Sequence, residues 1–200
     1  MSIDPRYSRE AAWNLLTEWT ASENLRKHAL AVEACVVACG EAEADRLALS
    51  PEQRAELLNL YSTTALLHDF DYERHPTQDE HPFVGVRELE RLGWPESMRT
   101  AILGHSEYSG VPRTTHLAKA LFACDELAGF LTACALVKPS RSIADVEVPG
   151  VRKKLKDKAF ARGVNREDVI HGAAELGVDL DRHIASCIQA MQRRAPELGL

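Results

Sequence analysis

Six side chains stand out by type and order: His28, the adjacent pair His68-Asp69, His81, His105 and Asp125. Imidazole and carboxylate together form a ligand set for a divalent metal ion. Imidazole nitrogen suits Zn, Fe, Mn, Co or Ni, and carboxylate oxygen adds hard donors that also admit Mg. The pair His68-Asp69 closes the apolar run Thr64-Ala65-Leu66-Leu67, and Asp125 sits within Leu121-Phe122-Ala123-Cys124-Asp125-Glu126-Leu127-Ala128. Such polar groups are costly to bury unpaired, so a fold that turns them inward needs a metal or strong partners.

Helices must position these residues. Apolar residues recur at spacings of three and four, and no convincing alternating strand is present. Ser8 is placed to cap a helix with Ala12, Leu15, Leu16 and Trp19 on one face. Ser22 is placed to cap the next, which turns His28 inward with Leu25, Ala29, Val32 and Val36. Ser50-Pro51-Glu52-Gln53 combines a cap, a proline at the first helical position and a capping-box glutamine. The helix it starts runs to His68-Asp69. Residues 70–80 read as a loop. Short helices are expected over Phe83–Leu92, closed by Gly93, and over Glu96–Leu103, which delivers His105. A further loop over 106–115 leads to a long helix from His116 to Val137, then helices starting at Asn165 and Asp179. The expected fold is all-α, a single compact bundle of about eight to ten helices spanning residues 1–200.

The ordered series His28, His68-Asp69, His81, His105, Asp125 resembles the pattern of the HD-domain superfamily of metal-dependent phosphohydrolases. The two histidines between the doublet and the last aspartate resemble the HDIG-type branch. The resemblance covers about residues 20–137, with the helical segment 138–200 as an extension. Asp125-Glu126-Leu127-Ala128-Gly129-Phe130 and Lys153-Lys154-Leu155-Lys156 look like segments of small bacterial HD proteins. The chain departs from the pattern after the doublet, where Phe70-Asp71 stands in place of Ile-Gly. The resemblance implies a first metal site of His28, His68, Asp69 and Asp125, with positions left for water and substrate. It implies a role for His81 and His105 in binding a second ion, with Asp69 as bridge; contact with phosphate is the alternative. One or two divalent ions are expected. Asp69 is the expected catalytic carboxylate, positioning an attacking water. The reaction class implied is hydrolysis of a phosphoester of a small molecule, a nucleotide above all. The alternatives are a nucleotide-binding regulatory HD module without turnover, and an HD oxygenase with paired iron.

Phosphate also calls for cations. Lys138, Lys153 and Arg113 are the candidates, the last within a loop whose Tyr108 is suited to stack on a base. His75, His116, His171 and His183 lack a matching context and read as structural or surface residues, His116 as exposed. A net charge of −6 gives no global basic field for nucleic acid. No membrane partner is expected, and a homo-oligomer is compatible with the composition. Five cysteines at 35, 39, 124, 134 and 187 form no CxxC and read as buried reduced thiols. That reading, with an N-terminus lacking an apolar signal core, points to the cytoplasm.

Overall fold

The computed structural model describes residues 4–200, and among these the regular structure is helical throughout. The α-helices are α1 (Arg9–Trp19), α2 (Glu23–Arg46), α3 (Pro51–Leu66), α4 (Phe83–Arg91), α5 (Glu96–Gly104), α6 (His116–Leu136), α7 (Val148–Leu155), α8 (Arg166–Leu176), α9 (Leu180–Arg193) and α10 (Ala195–Leu198). The all-α expectation is met. Side-chain caps set most of the starts. Ser8 accepts from Ala11 N, Ser22 from Leu25 N, Thr115 from Ala118 N and Asp179 from Arg182 N. At Ser50 both halves of the capping box form with Gln53.

Helix α6 is the axis of the molecule. It is apolar on nearly every side, from Leu117 through Ala135, so it must be covered on every side. It contacts α2, α3, α5, α7, α8 and α9. Helix α2 lies along it and also holds α3 and α9. Gly40 allows the close approach of α3: a Cβ there would stand 2.8 Å from the Tyr61 ring. Helices α4 and α5 form a short pair turned at Gly93, whose φ of +79° suits glycine. One continuous hydrophobic cluster runs from Ala12 to Leu198, so the C-terminal helices share the core of the N-terminal ones.

Two helices go beyond the sequence reading. Helix α7 forms over the start of the basic run, and α10 closes the chain after Arg194. No helix among the described residues is long and apolar enough to cross a membrane.

Candidate metal centre

Five separate segments deliver the six residues to one place. His28 comes from the second turn of α2, and Asp125 from the middle of α6. His68 and Asp69 follow the end of α3, where Leu67 is the C-cap. His81 lies in the turn-rich segment before α4, and His105 is the C-cap of α5. The α2–α6 packing sets His28 Nε2 3.0 Å from Asp125 Oδ1. His68 Nε2 lies 3.3 Å from both Asp125 Oδ1 and Asp69 Oδ2. The other Asp69 oxygen, Oδ1, lies 3.2 Å from His81 Nε2 and 3.3 Å from His105 Nε2. Asp69 therefore faces two groups at once, one oxygen to each.

The outer nitrogens fix the tautomers. His68 Nδ1–H donates to Ala65 O at 2.8 Å, and His105 Nδ1–H donates to Ile102 O. His81 Nδ1–H donates to Asp71 Oδ1 at 2.7 Å. In the neutral ring each Nε2 is then a lone pair aimed inward. Those of His81 and His105 stand 3.3 Å apart, and both face Asp69 Oδ1. His68 Nε2 is buried and meets two carboxylate oxygens without a hydrogen bond of acceptable geometry. Lone pairs converging on carboxylates repel unless a proton or a metal cation lies between them.

That arrangement fits a metal. Bonds of about 2.0–2.2 Å give ligand–ligand edges of about 3.0–3.5 Å in octahedral or tetrahedral geometry. The observed edges of 3.0–3.3 Å match these values. Two ligand groups result, His28-His68-Asp69-Asp125 and Asp69-His81-His105. Anchoring of the outer imidazole nitrogens to carbonyl or carboxylate oxygen is the usual support for metal-bound histidine.

The electrostatics agree. Burial alone would lower His68, but Asp69 and Asp125 outweigh it and hold the imidazole well above the ordinary histidine range. Burial opposes protonation of His81 too, and hydrogen bonds to Asp69 and Asp71 carry it up to about 9. Burial pushes Asp69 and Asp125 upward, and the surrounding histidines more than reverse this, so both stay below the usual carboxylate value. The site is built to hold positive charge. For Glu126, next along the helix, burial and the adjacent Asp125 outweigh the Asn165 N–H and His28 and push it up to about 7.

Sequence reasoning did not assign Asp71 a role. It is 1% exposed, and its second oxygen accepts from Gly85 N at 2.6 Å. A Cβ on Gly85 would lie 2.8 Å from Asp71 Cγ and from Phe70 Cε1, so the glycine makes room for this carboxylate. Ser106 was also passed over; its hydroxyl lies 3.1 Å from His105 Nε2.

The centre opens into a cleft of about 360 Å³ lined by Asp69, His81, His105, Asp125 and a rim that includes Tyr72 and Tyr108. No Lys or Arg is among its lining residues, whereas Glu107, Glu126 and Asp168 are. Of the three candidate phosphate contacts, Arg113 stands behind the cleft wall, paired with Glu107 at 3.3 Å, and Lys138 and Lys153 lie elsewhere. Arg113 is held by Glu175 at 2.7 and 2.8 Å and by Gly104 O at 3.0 Å, with its guanidinium 3.7 Å from the Phe122 ring centre. It braces the turn that carries His105. Lys138 and Lys153 line a separate cleft of about 610 Å³ with Lys154 and Lys156. Helix α6 continues unbroken from Asp125 to Leu136, about 17 Å of axis, which carries Lys138 away from the centre. His116, expected on the surface, is half-buried and hydrogen-bonded to Tyr61 at 2.9 Å. Comparison with protein-family models, curated proteins and solved structures finds no match for this chain.

Proposed function

We propose that the chain is an HD-type metal-dependent phosphohydrolase that cleaves a phosphoester of a small molecule, with nucleotides the expected class. The observation that carries this reading is the division of Asp69: Oδ2 toward His68, Oδ1 toward His81 and His105. One carboxylate shared by two ligand groups is the arrangement a bridged ion pair needs. Divalent ions held there would acidify a water and polarise a phosphoryl oxygen. Asp69 orients the reacting water at the cleft floor. Asp71 holds the His81 ring, and Ser106 Oγ, beside His105 Nε2, offers a hydroxyl at the cleft wall. The cleft volume of about 360 Å³ suits a small substrate, and exposed Tyr108 gives a face for a base or sugar.

One observation favours a second reading. A cleft lined by Glu107, Glu126 and Asp168 and by no Lys or Arg gives a dianionic phosphate no cationic side chain to meet, so bound metal would have to carry its charge. An uncharged organic substrate needs no such cation, and the same ligand groups then suit an HD oxygenase with paired iron. The discriminating experiment uses protein purified anaerobically and loaded separately with Mn or Fe(II). Phosphate release from a panel of nucleotides and phosphomonoesters is measured beside dioxygen uptake. About two ions per chain with phosphate release supports the hydrolase. Dioxygen uptake that depends on an added uncharged organic substrate and exceeds the oxidation of the iron itself, without phosphate release, selects the oxygenase. Asp69→Ala should lose the ions of the His/Asp centre and turnover while keeping a helical circular dichroism spectrum; full activity in that variant would refute the proposed centre.

A further inference from the structure

A second cluster of metal-binding side chains lies on another side of α6. Cys39 of α2, Cys124 of α6, and His183 and Cys187 of α9 meet where these three helices pack. Cys39 Sγ and Cys124 Sγ are 3.7 Å apart. Cys187 Sγ lies 3.8 Å from His183 Nε2 and 4.0 Å from Nδ1. One ligand atom each from Cys124, His183 and Cys187 falls within 4.8 Å of the others, and Cys39 stands outside that triplet and reaches it through Cys124.

We propose that Cys39, Cys124, Cys187 and His183 form a structural site for a soft tetrahedral ion, zinc first. A tetrahedral ion with Zn–S bonds of about 2.3 Å separates its sulfur ligands by about 3.8 Å, and a Zn–N bond of about 2.0 Å shortens the mixed edge to about 3.5 Å. The Cys39–Cys124 separation of 3.7 Å matches that edge, and His183 Nδ1, 4.0 Å from Cys187 Sγ, has about 0.5 Å to close to reach its own. His183 Nε2–H donates to Ala123 O at 3.0 Å, so the ring would ligate through Nδ1, which stands 4.0 Å from Cys187 Sγ. A carbonyl on the outer nitrogen is the usual support for a ligating histidine. Three thiolates and one imidazole are a set that selects zinc over the harder ions suited to the His/Asp centre. Cys35 touches the Cys187 thiol and carbonyl but lies outside the Cys124-His183-Cys187 triplet, and is left out of the set.

An entry path exists. Cys39 is only partly buried, and a surface cleft of about 340 Å³ is lined by Cys39 and His183. The consequence is structural. Cys124 precedes Asp125 on α6, and Cys39 lies three turns beyond His28 on α2. An ion joining these helices fixes the two elements that present His28 and Asp125 to each other. The inference stands independently of the proposed phosphohydrolase activity.

Cobalt is the probe, because a thiolate ligand gives a sulfur-to-cobalt charge-transfer band in the near ultraviolet and the His/Asp centre cannot. Full-length protein and the His68→Ala variant are titrated anaerobically with Co(II). Both should show the band at equal intensity per chain, and added zinc should abolish it. Cys124→Ala and Cys187→Ala should lose it, and Cys35→Ala should keep it. Cobalt binding with no such band, or a band unchanged in both Cys124→Ala and Cys187→Ala, would overturn the site. Should those variants not fold, alkylation of Cys39 in the unmodified protein decides. Zinc should slow it by about tenfold or more, as expected when the ligand must be released first. A zinc-independent rate would sink the proposal.

Discussion

Asp71 gives the metal centre its stiffness. Its two oxygens are both spoken for, one by His81 Nδ1–H and one by Gly85 N–H. Asp71→Asn would keep the shape but offer one acceptor to two donors. Its amide would then meet either His81 or the Gly85 N–H donor to donor. We expect affinity for the ion at Asp69-His81-His105 to fall by about 10–100-fold, the usual effect of losing a buried support to a ligating histidine. The His28-His68-Asp69-Asp125 group should be little affected. Competition with a chromophoric chelator reads both steps, and equal weakening of the two would contradict the division of labour. Gly85→Ala tests the same carboxylate sterically. The added Cβ meets Asp71 and Phe70 at 2.8 Å, so a cost of about 1–3 kcal/mol in chemical denaturation is expected from overpacking. The departure Phe70-Asp71 from the HD pattern marks this place in the sequence. Both residues are buried at 1%, but only the fold reveals that Asp71 points back at a histidine ten residues on.

At the scale of elements, the sequence spoke most clearly where a local signal fixes the backbone. Ser8, Ser22, Ser50, Asn165 and Asp179 all cap as their residue types suggest, because a cap needs only its own first turn. Helix α7 was not anticipated: its cap Glu147 makes no side-chain hydrogen bond, and its last turn is the basic run itself. The His183 cluster was hidden for a different reason. Its members come from α2, α6 and α9, far apart in the chain, so no spacing rule joins them. The α6–α8 contact was equally silent. It depends on Gly172, where a Cβ would stand 2.6 Å from Ala123 Cα and 3.2 Å from Ala123 N. Backbone cannot yield as a side-chain tip does, so Gly172→Ala must push α8 outward. Asn165 and Asp168, which line the cleft at the start of α8, would move with it. The expected outcome is a lower melting temperature and, for the proposed hydrolase, an altered substrate KM, with metal stoichiometry unchanged because α8 supplies none of the six candidate ligands. Unchanged KM and stability would show that the two helices have slack at this crossing.

The whole molecule is closed by one buried carboxylate. Glu33 on α2 is 2% exposed and collects groups from both ends of the chain. Arg9 Nε and Nη2 donate to its two oxygens at 2.6 and 2.9 Å, Arg194 Nη1 at 2.7 Å and Ser62 Oγ at 2.5 Å. Arg194 also holds Glu197, so α10 is tied through one guanidinium to the middle of α2. A charge this deep is worth little unless every partner is present, since its desolvation offsets much of the Coulombic gain. The arginines differ: the Arg9 side chain is 46% exposed and that of Arg194 21%. Loss of Arg9 is therefore partly compensated by water, and loss of Arg194 much less so. Arg194→Met keeps most of the aliphatic packing and leaves Glu33 with Arg9 and Ser62. The expected cost is about 1.5–3 kcal/mol, the range for a charge-assisted hydrogen bond. Urea unfolding measures it, with amide exchange across residues 195–198 as the local readout. A change under about 0.5 kcal/mol would class the contact with surface ion pairs of small effect. It would also mean that hydrophobic packing of Leu198, which is 4% exposed, is sufficient to hold the C-terminus on α2.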